Sequence, residues 1–424
     1  MYMCTSYKVK ANGKFLPVYA CDIGSFCILS SDENITFEVE VLFPFKNIKI
    51  RPLSKNVSCN VDGNVVSFVV GMPCKLSMEF DNNIRNPLFI LVNPAETNTP
   101  SHNSSNVKFF GSGKIHEVGE IVLKDNDTVY IEEGAIVKGI ISAENCKNIS
   151  VLGRGILDGS FLSRDNDREC RKRMVQFVNC EDVLIDGITI FNGNNWHVVP
   201  IACKNVCIKN INIIAWEGTG DGIDVVGSEN VDISNCFIRT NDDCIAIKAV
   251  DYFHEAGNKN VRNIVTEKCV LWNAEWGNAV EIGYETRCDM ISNIIFRDCD
   301  IIRCEFEGYQ SGGTLTIHNG DRAHVSDVLY EDIRIEDSRE KLIDIKILHS
   351  QYSKDISRGQ ISNIAFKNIS IVDGSFPVSI IRGFDADHMI KDISIQNLNV
   401  NGKKITNATD AKMVIELSKN ITFE

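Results

Sequence analysis

Residues 205–239 read NVCIKNINIIAWEGTGDGIDVVGSENVDISNCFIR, and the pattern NVCIKNINI at 205–213 returns as NVDISNCFI at 230–238. Each copy sets an Asn before a Val, an apolar residue two places after that Val, and another seven places after it. With the β-branched residue as anchor, the pattern extends through Ile149, Val183, Val206, Val231, Ile264, Ile294, Val328, Ile364, Ile393 and Ile421. Every anchor follows Asn or Asp, which tolerate left-handed backbone and bond nearby main chain, so the column reads as a stacked turn. A period-two strand, a bend and a second strand recur with each anchor. The anchors are 23 to 36 residues apart, a spacing that suits coils carrying loops. One such unit cannot bury its apolar side alone, whereas stacking at about 4.8 Å piles like side chains into an internal core. The expected fold is all-β, a right-handed parallel β-helix. A leucine-rich repeat would need a Leu-dominated consensus with a helix or loop per repeat, and neither is present.

The chain has 424 residues, 44% hydrophobic and 24% charged, enough for two domains. Ahead of the repeats, KFLPVYA, ITFEVEVLF and the runs either side of DGN alternate like short strands, with DGN as a hairpin signal. These features predict a small N-terminal β-sandwich over 1–100, a linker from Asn98 to Asn106, and the β-helix over 106–424. The net charge of −13 argues against nucleic acid as a partner. No apolar run approaches the ~20 residues of a membrane span. The start MYMCTSYKVKANGKF lacks the apolar stretch of a signal peptide. The 16 cysteines form no CxxC pair. Cys236, Cys269 and Cys299 stand five places after their anchors, where other coils carry Ile188, Ile211 and Ile333, so they read as core fillers in a reduced, cytoplasmic protein.

The stretch from Trp216 to Glu285 carries the candidate chemistry. Matching Val199/Ile201, Ile223/Val225, Ile245/Ile247 and Val280/Ile282 on successive coils puts His197, Asp221, Asp243 and Asn278 in one column, with Asp242 beside it. Carboxylates that close raise one another's pKa, so one can hold a proton beside an ionised base. Glycosidic hydrolysis needs that division: an acid for the leaving oxygen, and a carboxylate to activate water or attack the sugar. Asp and Asn also fill β-helix turns, and a carboxylate cluster can bind calcium instead.

At these residues the chain resembles glycoside hydrolase family 28, the polygalacturonases. TGDGID (Thr219 to Asp224) and TNDDCIAIK (Thr240 to Lys248) look like that family's NTDGID and GDDCIAIK signatures, and the resemblance covers roughly 106–424. It implies inverting hydrolysis, with Asp242 as general acid and Asp221 with Asp243 holding the water. Two motifs depart: GHG falls at Gly277-Asn278-Ala279, and RIK, which holds the galacturonate carboxylate, at Thr316-Ile317-His318. The TNDD element, the preceding sandwich and a tryptophan-rich site are also similar to glycoside hydrolase family 49, the dextranases and isopullulanases, which act on neutral α-glucans. These substitutions lead to the expectation of an altered substrate.

Trp196, Trp216, Trp272 and Trp276 are all the tryptophans of the chain and are expected near the cleft, where aromatic faces suit sugar C–H surfaces. Substrate contacts are expected from His197, Trp216, Asp224, Lys248, Trp276, Asn278, Glu281, Tyr284, Glu285 and His318. The basic run Arg164 to Arg173 is either a solvated loop or a lid that brings positive charge to an acidic oligosaccharide. The expected partner is an oligo- or polysaccharide, and no metal or organic cofactor is expected. Two other classes stay open: a calcium-dependent lyase acting on a uronate, and a carbohydrate-binding β-helix without catalysis.

Overall fold

The computed structural model describes residues 2–71, 73–97, 99–165, 167–252, 254–306 and 312–424. Asn98 of the expected linker and Asn166 of the basic run lie outside the described residues. The Asn/Asp column builds the coils as its chemistry predicts. All ten residues before the anchors have left-handed backbone, with φ between 54° and 59°. Their side chains form a ladder: the Asn230 amide donates to Asn205 Oδ1 at 3.0 Å, Asn263 to Asn230 at 2.8 Å and Asn293 to Asn263 at 2.7 Å. An amide both donates and accepts, so Asn205, Asn230 and Asn263 each bond the turn above and the turn below, whereas Asp182, Asp327 and Asp392 only accept.

Among the described residues, thirty-one strands, from Val107–Phe110 to Ser418–Phe423, form one continuous stack. A typical coil has three, such as Glu181–Asp186, Thr189–Phe191 and Val198–Ile201, each pairing in parallel with its equivalent on the next coil. Like side chains pile up inside: Phe296 on Tyr330 at 5.2 Å and Tyr330 on Phe366 at 4.7 Å between ring centres. Cys236, Cys269 and Cys299 are buried in that core.

The third strand of each coil faces outward toward the site, and there the register differs from expectation by one residue. Val198, not Val199, pairs with Ile223, followed by Ile245 and Val280. Val198-Val199-Pro200-Ile201 is apolar on both faces, so either register offers an apolar pair, and a one-residue slip turns each side chain to the opposite face. The column is therefore Trp196, Asp221, Asp243 and Asn278, and His197 is not in it.

Ahead of the coils, a six-stranded and a five-stranded sheet enclose a core including Phe37, Phe68, Leu76 and Ile90. Asp62 pairs with Val65, leaving Gly63-Asn64 as a two-residue turn with Gly63 at φ 60°. The sandwich packs Phe26, Phe89 and Leu91 onto Phe191, Ile214, Phe237 and Trp272 of the coils. Trp272 stands edge-on to Phe89 at 5.6 Å, so this tryptophan belongs to the seam with the sandwich and not to the cleft. Arg51 bridges the same seam, pairing with Glu79, Glu336 and Asp373.

Candidate active site

Asp221 precedes the strand Ile223–Val226, Asp242 and Asp243 precede Ile245–Lys248, and Asn278 precedes Val280–Tyr284. Parallel stacking then suffices to assemble them, and one oxygen from each of Asp221, Asp242 and Asp243 lies within 4.8 Å of the others. Lys248 is the central cation. Its Nζ donates to Asp221 Oδ2 at 2.8 Å and pairs with Asp224 Oδ1 at 2.8 Å and Asp243 Oδ2 at 3.7 Å. Burial alone would lower the Lys248 pKa, but the charges of Asp221 and Asp224 outweigh it and hold the ammonium well above its ordinary value.

The three carboxyls are not equivalent. Asp243 Oδ1 accepts from the Asn278 amide at 2.8 Å, and Lys248 approaches its other oxygen. Asp242 has no ion pair, and its side chain accepts only from the Asp243 N–H, at 3.0 Å, among the described residues. Burial, followed by the charges of Asp221 and Asp243, raises its pKa well above the usual carboxylate range and favours the protonated form. Burial also raises Asp243, against the opposing charge of Lys248. A divalent cation at these carboxylates would meet the Lys248 ammonium, which already pairs with Asp221 and Asp243, so the donor set fits calcium poorly.

Asn278 stands at the position of the histidine in the resembled GHG motif, and it is a spacer between coils: its Oδ1 accepts from Gly313 N–H at 2.8 Å while its amide holds Asp243. Gly277 is required beside it. Its φ is +68°, and a Cβ there would lie 2.4 Å from Asp243 N and 2.5 Å from Asp242 Oδ1. Gly277→Ala is expected to displace both aspartates and cut kcat by about 10²-fold, checked by steady-state kinetics beside an unfolding midpoint.

The sequence pattern of glycosyl hydrolases family 28 matches residues 83–416. The chain belongs to that family. It is 25% identical over 293 residues to an exopolygalacturonase of Zea mays, covering 62% of this chain and 66% of that protein. It is 27% identical over 237 residues to a polygalacturonase of Gossypium barbadense, covering 53% and 54%. The chain thus spans less than two thirds of the length of these relatives. Among solved structures, Dex49A from Penicillium minioluteum superposes with a TM-score of 0.64 at 14% identity, over 98% of this chain and 94% of that one. An exopolygalacturonase from Thermotoga maritima gives 0.58 at 18% identity, over 70% and 85%. At these identities the superpositions speak for the shared β-helix.

In this family 28 chain, a cleft of about 600 Å³ opens over the aspartates. Asp221, Asp242, Asp243, Lys248, Trp276, Asn278, Tyr284 and Glu285 line it as expected, and so does Trp196. Five expected contacts do not line it. His197 is fully buried, donating from Nδ1 to Asp221 O at 2.8 Å and accepting at Nε2 from Gly193 N–H at 3.0 Å. Burial lowers its pKa to about 4, so it is a neutral clamp on the Asp221 backbone. Trp216 packs edge-on to Phe191 at 5.4 Å, toward the sandwich. Asp224 and Glu281 share a column on the outward face, but that face is covered and both are fully buried.

His318 is the fifth. It lies beneath Tyr284, whose ring stacks on it at 4.6 Å, with Nδ1 2.8 Å from Glu281 and Nε2 3.1 Å from Asp344. With a carboxylate at each nitrogen it is an imidazolium. Burial opposes the charge, but Glu281 and Asp344 raise the pKa to about 9. A folded value above the unfolded one means stability that is full below about pH 6.5 and lost as pH rises through about 9. Replacing His318 with Gln is therefore expected to cost on the order of 3 kcal/mol at pH 6 and much less near pH 10, read from unfolding midpoints across that range.

Other cleft residues come from loops the repeat does not encode: Tyr252, Gln351, Tyr352 and Lys354, with Arg171 and Arg173 from the basic run. Only the basic run gave a signal in the sequence. Its last residue is held in the cleft wall: Arg173 pairs with buried Asp251 and lies 4.6 Å over the Trp196 ring.

Proposed function

We propose that the chain hydrolyses a glycosidic bond of an acidic, pectin-type polysaccharide with inversion. The observation that carries this reading is the asymmetry of the three carboxyls. Asp242, without a cation, gives its proton to the leaving oxygen as the C–O bond breaks. Asp221 and Asp243, which share Lys248, take a proton from the water attacking the opposite face of the sugar. The polygalacturonase relatives support a uronate substrate. The strand positions expected to hold its carboxylate are used otherwise: Thr316 donates to Glu281 at 2.9 Å, and His318 is an internal ion. Positive charge reaches the cleft from Arg171 and Lys354 instead, neither of which is ion-paired among the described residues.

One observation favours a second reading, hydrolysis with retention. Oxygens within 4.8 Å are nearer the ~5 Å separation of double-displacement enzymes than the ~6.5–9.5 Å of inverting ones. Against it, two carboxylates face Asp242, which suits a seat for water better than a single nucleophile.

The test is a panel of pectic, α-glucan and galactan oligosaccharides, following new reducing ends and the absorbance of unsaturated products. New reducing ends from the pectic members without that absorbance are expected. Unsaturated products lost on chelation would overturn the hydrolase reading in favour of a lyase, and binding without cleavage across the panel would overturn it in favour of a binding module.

A further inference from the structure

We infer that the cleft is a blind pocket that admits a chain end, so that cleavage runs from the end of the polysaccharide and not within it. This rests on the hydrolase reading above and adds the mode of attack.

A polymer could lie across the coils only along the outward face of the third strands, and that face is covered on both sides of the aspartates. On the side of the earlier coils, Val199, Ile201 and Val226 point outward yet are fully buried, in an apolar cluster with Val178 and Trp196. Tyr252 and Ala256, from the loop that follows Lys248, pack onto that cluster. The loop approaches closely: a Cβ at Gly257 would lie 3.0 Å from the Val226 side chain. Arg173 then closes the barrier. It comes from just before the strand Val175–Val178 and pairs with Asp251, just beyond the end of Ile245–Lys248, so the bridge crosses the width of the sheet above Trp196. Both side chains are at most 3% exposed.

On the side of the later coils, Tyr284 lies flat on His318, and Tyr352 packs against Tyr284 at 5.6 Å. Glu281, Thr316 and Asp344 beneath are fully buried. The loop carrying Tyr352 is pinned, since Asp321 Oδ1 accepts from the backbone N–H groups of Lys354 at 2.5 Å and Asp355 at 2.6 Å. Between these walls the lip is low: Gly218, Thr219, Gly277 and Trp276, the last 43% exposed. Among the described residues, that lip is the way out for sugar rings beyond the bond cleaved. A second cavity, lined by Ser142, Gln176 and His254, lies on the far side of Arg173 and shares Arg171 and Arg173 with the first. The Arg173 bridge is what separates them.

The experiment follows viscosity and reducing ends together on polygalacturonate, with products sized from the first minutes. One small product from the start, with little viscosity lost per bond cleaved, is expected. An early ladder of mid-sized fragments with a steep viscosity drop would overturn the inference. Arg173→Ala joins the two cavities and is expected to raise viscosity loss per bond cleaved several-fold, and an unchanged ratio in a folded variant would count against the barrier. A binding measurement covers the case of a variant that does not fold. Asp242→Asn protein is expected to bind oligogalacturonides of defined length at least tenfold more tightly with free ends than with both terminal rings chemically modified. Equal affinity would overturn the blind pocket. Absence of any cleavage by the unmodified protein would instead count against the hydrolase reading, and the binding comparison would still decide the pocket's shape.

Discussion

Asp242→Asn is expected to lower kcat and kcat/KM together by about 10²–10⁴-fold, because the residue acts only on the leaving oxygen as the bond breaks. The asparagine is nearly isosteric, and its Oδ1 can still accept the Asp243 N–H bond of 3.0 Å, so the site should keep its shape. The same change should also stabilise the fold at neutral pH. A carboxyl whose folded pKa is raised contributes stability that is present below its unfolded value and is lost as pH rises through the folded value. Above that window the ionised group is a burden to the folded state, and the amide never ionises. Unfolding midpoints of the two proteins should therefore diverge in favour of Asp242→Asn as pH rises from 3 to 7 and coincide at the acid end. Full activity in the variant would remove Asp242 from the mechanism.

Lys248→Met should produce the largest loss of stability. The lysine side chain is 6% exposed and serves Asp221, Asp224 and Asp243, and stripping a buried pair of one partner costs about 3–5 kcal/mol. Activity should fall as well, since carboxyls left without their cation take up protons and cannot serve as base. Asp224 offers a control, because it touches Lys248 but does not line the cleft. Adding Asp224→Asn to Lys248→Met removes one orphaned charge and is expected to recover part of the stability without recovering turnover. If the double variant is no more stable than the single one, the lysine matters for packing and not for charge.

What the sequence made legible follows from where the repeat constrains it. The Asn/Asp column must turn left-handed on every coil, so Asn205, Asn230 and Asn263 announce the fold, and the apolar pairs Ile223/Val225 and Ile245/Ile247 on successive coils announce the carboxylate cluster. The register of the neighbouring coil was hidden because Val198-Val199-Pro200-Ile201 has no alternation to read. Its outward pair, Val199 and Ile201, is apolar only because the loop through Tyr252 folds down onto it, and no local pattern encodes that fold-back. The same reason hid the burial of Glu281 and His318: both stand on the outward face, as the period predicts, but Tyr284 and Tyr352 close over it. Trp216 and Trp272 look like sugar platforms by residue type, yet they face the sandwich, a neighbour brought into place by tertiary packing alone.

The division of labour among Asp221, Asp242 and Asp243 is tested most directly by proton NMR of the first product formed on a pectic oligosaccharide, recorded before mutarotation. A single displacement by water held at Asp221 and Asp243 predicts a newly formed reducing end with the anomeric configuration opposite to that of the bond cleaved. A product that keeps the configuration would contradict it and would make one of those two carboxylates a nucleophile.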